Sequence, residues 1–232
     1  MAQFNLVIDL VLDLEGGFQN NPADWGNYNA YDDDGNLVPY RERKGRTLQS
    51  GTNRGISTAL FSTLLKRVVT EEEIRSISVS MARDIYKVVF WDNIKGDHIS
   101  DQRIANLIFD THVNHGSYGK KMVQVVLNNL GFNLVVDGII GTKTLTAINS
   151  AMVADLHDGI LDIRILKYRE LAEKREDNDR FLNGWLNRLK KFPRMKVGSD
   201  EYQISKAQVV QPSSYALPAV ALILAVAYFF DE

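Results

Sequence analysis

Val7-Ile8-Asp9-Leu10-Val11-Leu12-Asp13-Leu14-Glu15-Gly16-Gly17 is the stretch from which the fold is read. Val7, Leu10, Val11 and Leu14 recur at the spacing of one helix face, and two glycines close the run. The pattern therefore predicts a helix over residues 3–15, with Glu15 in its last turn. An apolar helix would bury the stem of Glu15, and burial favours the protonated carboxyl that a general acid needs. A solvated carboxylate at a helix end is the other reading of the same position. Gly16 and Gly17 give the following backbone room to approach an extended ligand closely. Asp9 and Asp13 interrupt the apolar start, no Lys or Arg precedes it and no small-residue cleavage pattern follows, which is unlike a standard signal peptide.

Outward from this helix the character changes. Residues 16–54 are rich in Asn, Asp, Gly and Tyr, and Asp34-Gly35 between Tyr31 and Leu37-Val38 predicts the turn of a small β-hairpin. Helical signals return at Ser57, a cap for a helix through Leu65. Thr70 with Glu73 forms a capping box ahead of a predicted helix over 71–91. Further helices are expected over 100–113, 120–129, from Thr144 toward Met152, and over 156–191, where the charged run Glu173–Arg180 reads as a solvated face. The fold class is thus mainly α: a helical domain with a small β-hairpin insertion at 27–50 and a C-terminal hydrophobic helix.

The 232 residues, 45% hydrophobic and 24% charged, suit one globular domain with an appendage and exclude a wholly disordered chain. Twenty-seven basic against 29 acidic side chains leave no overall field to gather nucleic acid. The absence of cysteine excludes a disulfide scaffold, a thiolate metal site and a cysteine nucleophile. Asp110, His112 and His115 make a poor zinc signature, and Asp32-Asp33-Asp34-Gly35-Asn36 lacks the bidentate Glu of a calcium loop, so no metal or cofactor is expected.

Leu14-Glu15-Gly16-Gly17-Phe18-Gln19-Asn20-Asn21-Pro22-Ala23-Asp24, followed by Gly51-Thr52-Asn53-Arg54-Gly55-Ile56-Ser57, resembles the opening of glycoside hydrolase family 108. There a Glu-Gly-Gly-aromatic motif precedes an Asn-aromatic-Gly-Ile-Thr/Ser segment. Trp91–Asp97, Ala105–Thr111 and Val113–Gly116 are similar to the middle helices of the family. Val136–Thr144 and Phe181–Arg188 are similar to the peptidoglycan-binding half that accompanies it. The resemblance runs to about Phe192. It implies a lysozyme-like N-acetylmuramidase that cuts the β-1,4 bond between N-acetylmuramic acid and N-acetylglucosamine in peptidoglycan glycan strands, with Glu15 as the catalytic acid.

The sequence departs from that pattern twice. Arg54 stands where an aromatic is usual, and the segment 27–50 is longer than the family's short connection, which implies an extra flap at the cleft. Asp24, on the loop after Glu15, and Thr52, opening the segment expected to fold back on it, are candidates to hold an attacking water; Asp24 as a turn-stabilising side chain is the alternative. Retention through a second carboxylate and intramolecular attack both stay open. Asp110 and Asn114, four apart, share a helix face that the resemblance places at the cleft border, with Asn114 on a sugar amide and Asp110 orienting it; buried polar ties between helices are the alternative. Asn53, Tyr28 and Trp25 are candidate sugar contacts, the aromatics by stacking or else as core edges, whereas Trp91 and Trp185 read as core.

The domain reading is a catalytic lobe over 1–97, a helical peptidoglycan-binding lobe over 98–192, a linker over 193–214 and an apolar segment over 215–230. The last has sixteen residues without a charge. At 1.5 Å per residue a helix there spans about 24 Å, enough for a bilayer that thins locally. Arg188, Lys190, Lys191, Arg194 and Lys196, with no acid among them, predict contact with anionic lipid. The sequence thus reads as a membrane-anchored muramidase at the periplasm or cell wall, of the kind a phage lysin in a virion membrane would be. A non-catalytic peptidoglycan-binding or secretion-associated membrane protein is the second class.

Overall fold

The computed structural model describes residues 1–173 and 179–196. The predicted apolar helix at 215–230, most of the linker, and part of the charged run after Glu173 lie outside the described residues. Among the described residues no helix is long and apolar enough to cross a membrane.

The molecule is mainly helical around one small sheet. A 3-10 turn at Phe4–Leu6 leads into α1 (Ile8–Glu15), so the predicted first helix is broken at Val7 but ends where expected. Strands β1 (Thr52–Asn53) and β2 (Ile56–Ser57) pair antiparallel, with Thr52 opposite Ser57. Ser57 then caps α2 (Thr58–Leu65) by accepting from the Leu60 N–H. The capping box of Thr70 and Glu73 opens α3 (Glu71–Arg75). The single helix expected over 71–91 is divided, because Ser78 starts a new one by accepting from Met81 N–H. This is α4 (Val79–Tyr86), which continues into a π-helical turn at Lys87–Trp91.

Next come α5 (Gln102–Asn129), α6 (Thr142–Ser150), α7 (Val153–Glu173) and α8 (Asp179–Leu189). The two helices expected over 100–129 are contiguous in α5 but bent at Gly116, whose φ of 57° and ψ of −139° are open to glycine alone. One apolar core joins the N- and C-terminal halves: Val11, Ile56 and Trp91 share it with Leu107, Val126, Leu156 and Phe192.

The segment expected as a hairpin is only marginally a β structure. Tyr31 and Leu37 form an isolated bridge around the Asp32–Asn36 turn, where Asp32 Oδ1 accepts from the N–H groups of Asp34 and Asn36. Order in 27–50 comes instead from buried side chains. Asn29 donates to the carbonyls of Leu48 and Val69 and accepts from Val69 N–H, and Arg43 donates to the Val38 carbonyl. Polar residues of low strand propensity satisfy the loop backbone where a ladder would have done so.

The basic cluster is also corrected. Arg188 is buried in ion pairs, Arg194 pairs with Asp162 and Lys196 with Asp155, and the Asp158 carboxylate accepts from the Met195 and Lys196 N–H groups. Arg194 and Lys196 thus answer carboxylates of α7, and Arg188 those of α1 and α5, so these three charges are spent within the fold, while Lys190 and Lys191 are exposed.

Candidate active site

Glu15 is the last residue of α1. Gly16 follows at φ 72°, a left-handed conformation that stops the helix and turns the chain away. A Cβ at Gly16 or Gly17 would meet nothing within 4 Å, so the space expected beside the motif is present. Two residues on, the chain folds back: Gln19 and Thr52 exchange both backbone hydrogen bonds, at 2.9 and 2.8 Å. That pairing brings the β1–β2 turn over Glu15. Gly55, at φ 75°, lies so close that a Cβ there would sit 2.9 Å from Glu15 Cγ and collide with the Tyr86 hydroxyl.

The Glu15 side chain is only 1% exposed. Its Oε1 accepts from Arg188 Nη2 at 2.8 Å, across from α8. The same guanidinium reaches Asp110 on α5, Nε to Oδ1 at 2.9 Å and Nη2 to Oδ1 at 2.8 Å. Arg164 on α7 lies 2.8 Å from Asp110 Oδ2 and donates to Thr111 and Tyr168. Burial raises the Glu15 pKa above the usual carboxylate value; Arg188 opposes this and Asp110 reinforces it. Asp110, although desolvated, is held low by its two guanidiniums. Burial also pushes the Tyr86 hydroxyl well up, with Glu15 adding to the effect.

The remaining residues fall into separate roles. Asp24 is buried at the start of a 3-10 turn, Oδ1 accepting from Gly26 N–H and Oδ2 from Gln19 Nε2, which is the turn-stabilising alternative. Its pKa is raised, by burial. Gln19 also donates to Asn27, which accepts from the Thr52 hydroxyl at 2.7 Å, so Asp24 and Thr52 are linked through the loop that follows Glu15. Asn53 spends its amide on the carbonyls of Ile74 and Arg75. Tyr28 is 6% exposed and donates to the Pro22 carbonyl, which leaves no ring face for sugar stacking. Trp25 packs on Tyr40 and Trp185 stacks on Tyr168.

Asp110 and Asn114 do share a face, but Asn114 donates to the Asp110 main-chain carbonyl while the Asp110 carboxylate serves the arginines. The expected orientation of Asn114 by Asp110 is therefore replaced by a charge network. Sequence reading missed Arg188 and Arg164. The only signal was Arg188 in a run of basic residues, which suggested the opposite environment.

Among the described residues no group of His, Asp and Glu could hold a metal. A cleft of about 420 Å³ lined by Asp92, Lys95, Asp97, His98 and Leu145 includes none of the residues around Glu15.

Residues 8–116 match the model for glycosyl hydrolase 108, and residues 118–190 match that of a predicted peptidoglycan domain. The chain carries a glycosyl hydrolase 108 domain followed by a peptidoglycan domain. The border between the matched segments falls at the Gly116 bend of α5. The structure of Brucella abortus SagA is similar, with a TM-score of 0.61 over 82% of this chain and 90% of that one. At 23% identity that likeness concerns the fold. No curated protein matches the sequence significantly. The glycosyl hydrolase 108 domain supports a glycoside hydrolase acting on peptidoglycan.

Proposed function

We propose that this glycosyl hydrolase 108 protein is a lysozyme-type N-acetylmuramidase in which Glu15 is the general acid. The observation that carries this reading is the desolvated Glu15 carboxyl, fixed through Oε1 and raised in pKa by its burial. In the reaction the bond from the anomeric carbon to the bridging oxygen breaks, its electron pair stays on that oxygen, and the oxygen takes the Glu15 proton. Water adds to the anomeric carbon, its surplus proton passes to solvent, and Glu15 is reprotonated from there.

Among the described residues the other carboxylate touching Arg188 is Asp110, whose oxygens face two guanidiniums. That occupancy argues against Asp110 as a covalent nucleophile and favours attack by water. Thr52 and Asp24, joined through Gln19 and Asn27, are the groups proposed to hold that water. A glycan oxygen reaches Glu15 only after the side chains covering it shift, as is common where catalytic contacts tighten with substrate bound. The peptidoglycan domain supports action at the wall. Tethering to a membrane rests on the sequence of 215–230 alone.

The experiment is digestion of purified peptidoglycan with mass spectrometry of the products, for the native protein and for Glu15→Gln. Reducing muramic ends from the native protein and none from the variant are expected. Anhydro ends would mean transglycosylation instead, and no release from either protein would leave a wall-binding protein.

A further inference from the structure

The inference here rests on the reading of Glu15 as the acid and deepens it. Arg188 divides its guanidinium unequally: one contact goes to Glu15 Oε1, and two go to Asp110 Oδ1. Arg164 closes the far side of Asp110. The four side chains of this chain are at most 7% exposed and come from α1, α5, α7 and α8. Among the described residues Glu15 Oε2 accepts no hydrogen bond, and the nearby Tyr86 hydroxyl is engaged with the Arg54 carbonyl at 3.2 Å. Because a guanidinium is a rigid planar fork, holding Nε and Nη2 on Asp110 fixes where Nη2 meets Glu15.

We propose that Asp110 is a positioning residue for Glu15, acting through Arg188, which fixes Oε1 and leaves Oε2 to carry the proton that is transferred. Asp110 also takes up part of the Arg188 charge. Without that share the full guanidinium would bear on Glu15 and favour its ionised form. Among the described residues, the charged or titratable groups facing Glu15 are Arg188 from α8, Asp110 from α5 and Tyr86 from α4.

The test combines an NMR titration of the Glu15 side-chain carboxyl carbon with the pH profile of kcat/KM on purified peptidoglycan, in the full chain. Arg188→Met should move the Glu15 midpoint and the basic limb to higher pH, and Asp110→Asn should move both to lower pH. Arg188→Lys keeps the charge but loses the fork. It should lower kcat by up to about 100-fold with little change in KM. A mere brace between helices would lower the folded fraction without displacing the midpoint in opposite directions. Folded variants whose midpoints stay put, or move the same way, overturn the proposal. If Asp110→Asn does not fold, the Arg188 pair decides: an unmoved midpoint in Arg188→Met, or undiminished kcat in Arg188→Lys, overturns it. Opposite midpoint shifts in the two variants, together with a native protein that releases no reducing ends, would sink the hydrolase reading while leaving the control of the Glu15 carboxyl intact.

Discussion

Gly55 shows how much of the site depends on a single missing side chain. Its φ of 75° is strained for any residue with a Cβ, and that atom would press on Glu15 Cγ and the Tyr86 hydroxyl. Gly55→Ala is therefore expected to cost about 1–3 kcal/mol from the backbone conformation alone. It should also displace Glu15 from Arg188 and so lower kcat. Urea denaturation with steady-state kinetics on peptidoglycan checks both, and a variant of native stability and rate would refute the account. Glu15 itself was legible in the sequence, because an apolar period followed by Gly-Gly marks both the helix end and the residue there. Arg54, where an aromatic was expected, has φ 52° and donates to the Ile77 carbonyl, so it braces the turn over the acid.

At the scale of elements, α5 carries the fold from one matched domain to the next. Its bend at Gly116 separates the face that presents Asp110 from the turns that present Gln124, which organises the Asp137–Ile139 turn. Gln124 Nε2 donates to Asp137 Oδ1 and its Oε1 accepts from Gly138 N–H. Gly116→Ala would force helix-like geometry at a bend only glycine adopts easily. We expect a loss of about 1–3 kcal/mol, with native-state amide exchange quickening on both sides of the bend. Unchanged exchange there would count against this. Helix periods were readable because they depend on local spacing, whereas the splitting at Ser78 and the near absence of a hairpin in 27–50 were not. Those outcomes turn on whether Ser78 caps better than it continues, and on which distant carbonyls Asn29 and Arg43 reach.

For the whole molecule, acid should be destabilising. Burial, with Lys120 nearby, pushes His112 down to about 3, and His115 is held well below its usual value by burial and by Arg164, Arg188 and Lys167, against Asp110. Both histidines stay neutral in the fold, so the unfolded chain binds more protons, and their contribution is lost as pH falls below about 6.5. The slope is about 1.4 kcal/mol per pH unit for each histidine. Glu15 works the other way: its raised pKa stabilises the fold below 4.5, and that contribution fades as pH rises. Two histidines outweigh one carboxyl, so unfolding free energy measured by urea should fall from pH 7 to pH 5, more steeply in Glu15→Gln. A flat profile would contradict the burial of the histidines as neutral groups.

The order of the helices, the capping residues and the acid at the end of α1 were set by the sequence itself, because period, caps and glycine breaks act over a few neighbours. Tertiary structure alone decided what surrounds that acid. Residues 15, 110, 164 and 188 lie far apart along the chain, and buried charges must find partners of opposite sign wherever packing brings them together. Arg188 thus reads as one of several surface cations in one dimension and becomes the buried hydrogen-bond donor that holds Glu15 in three.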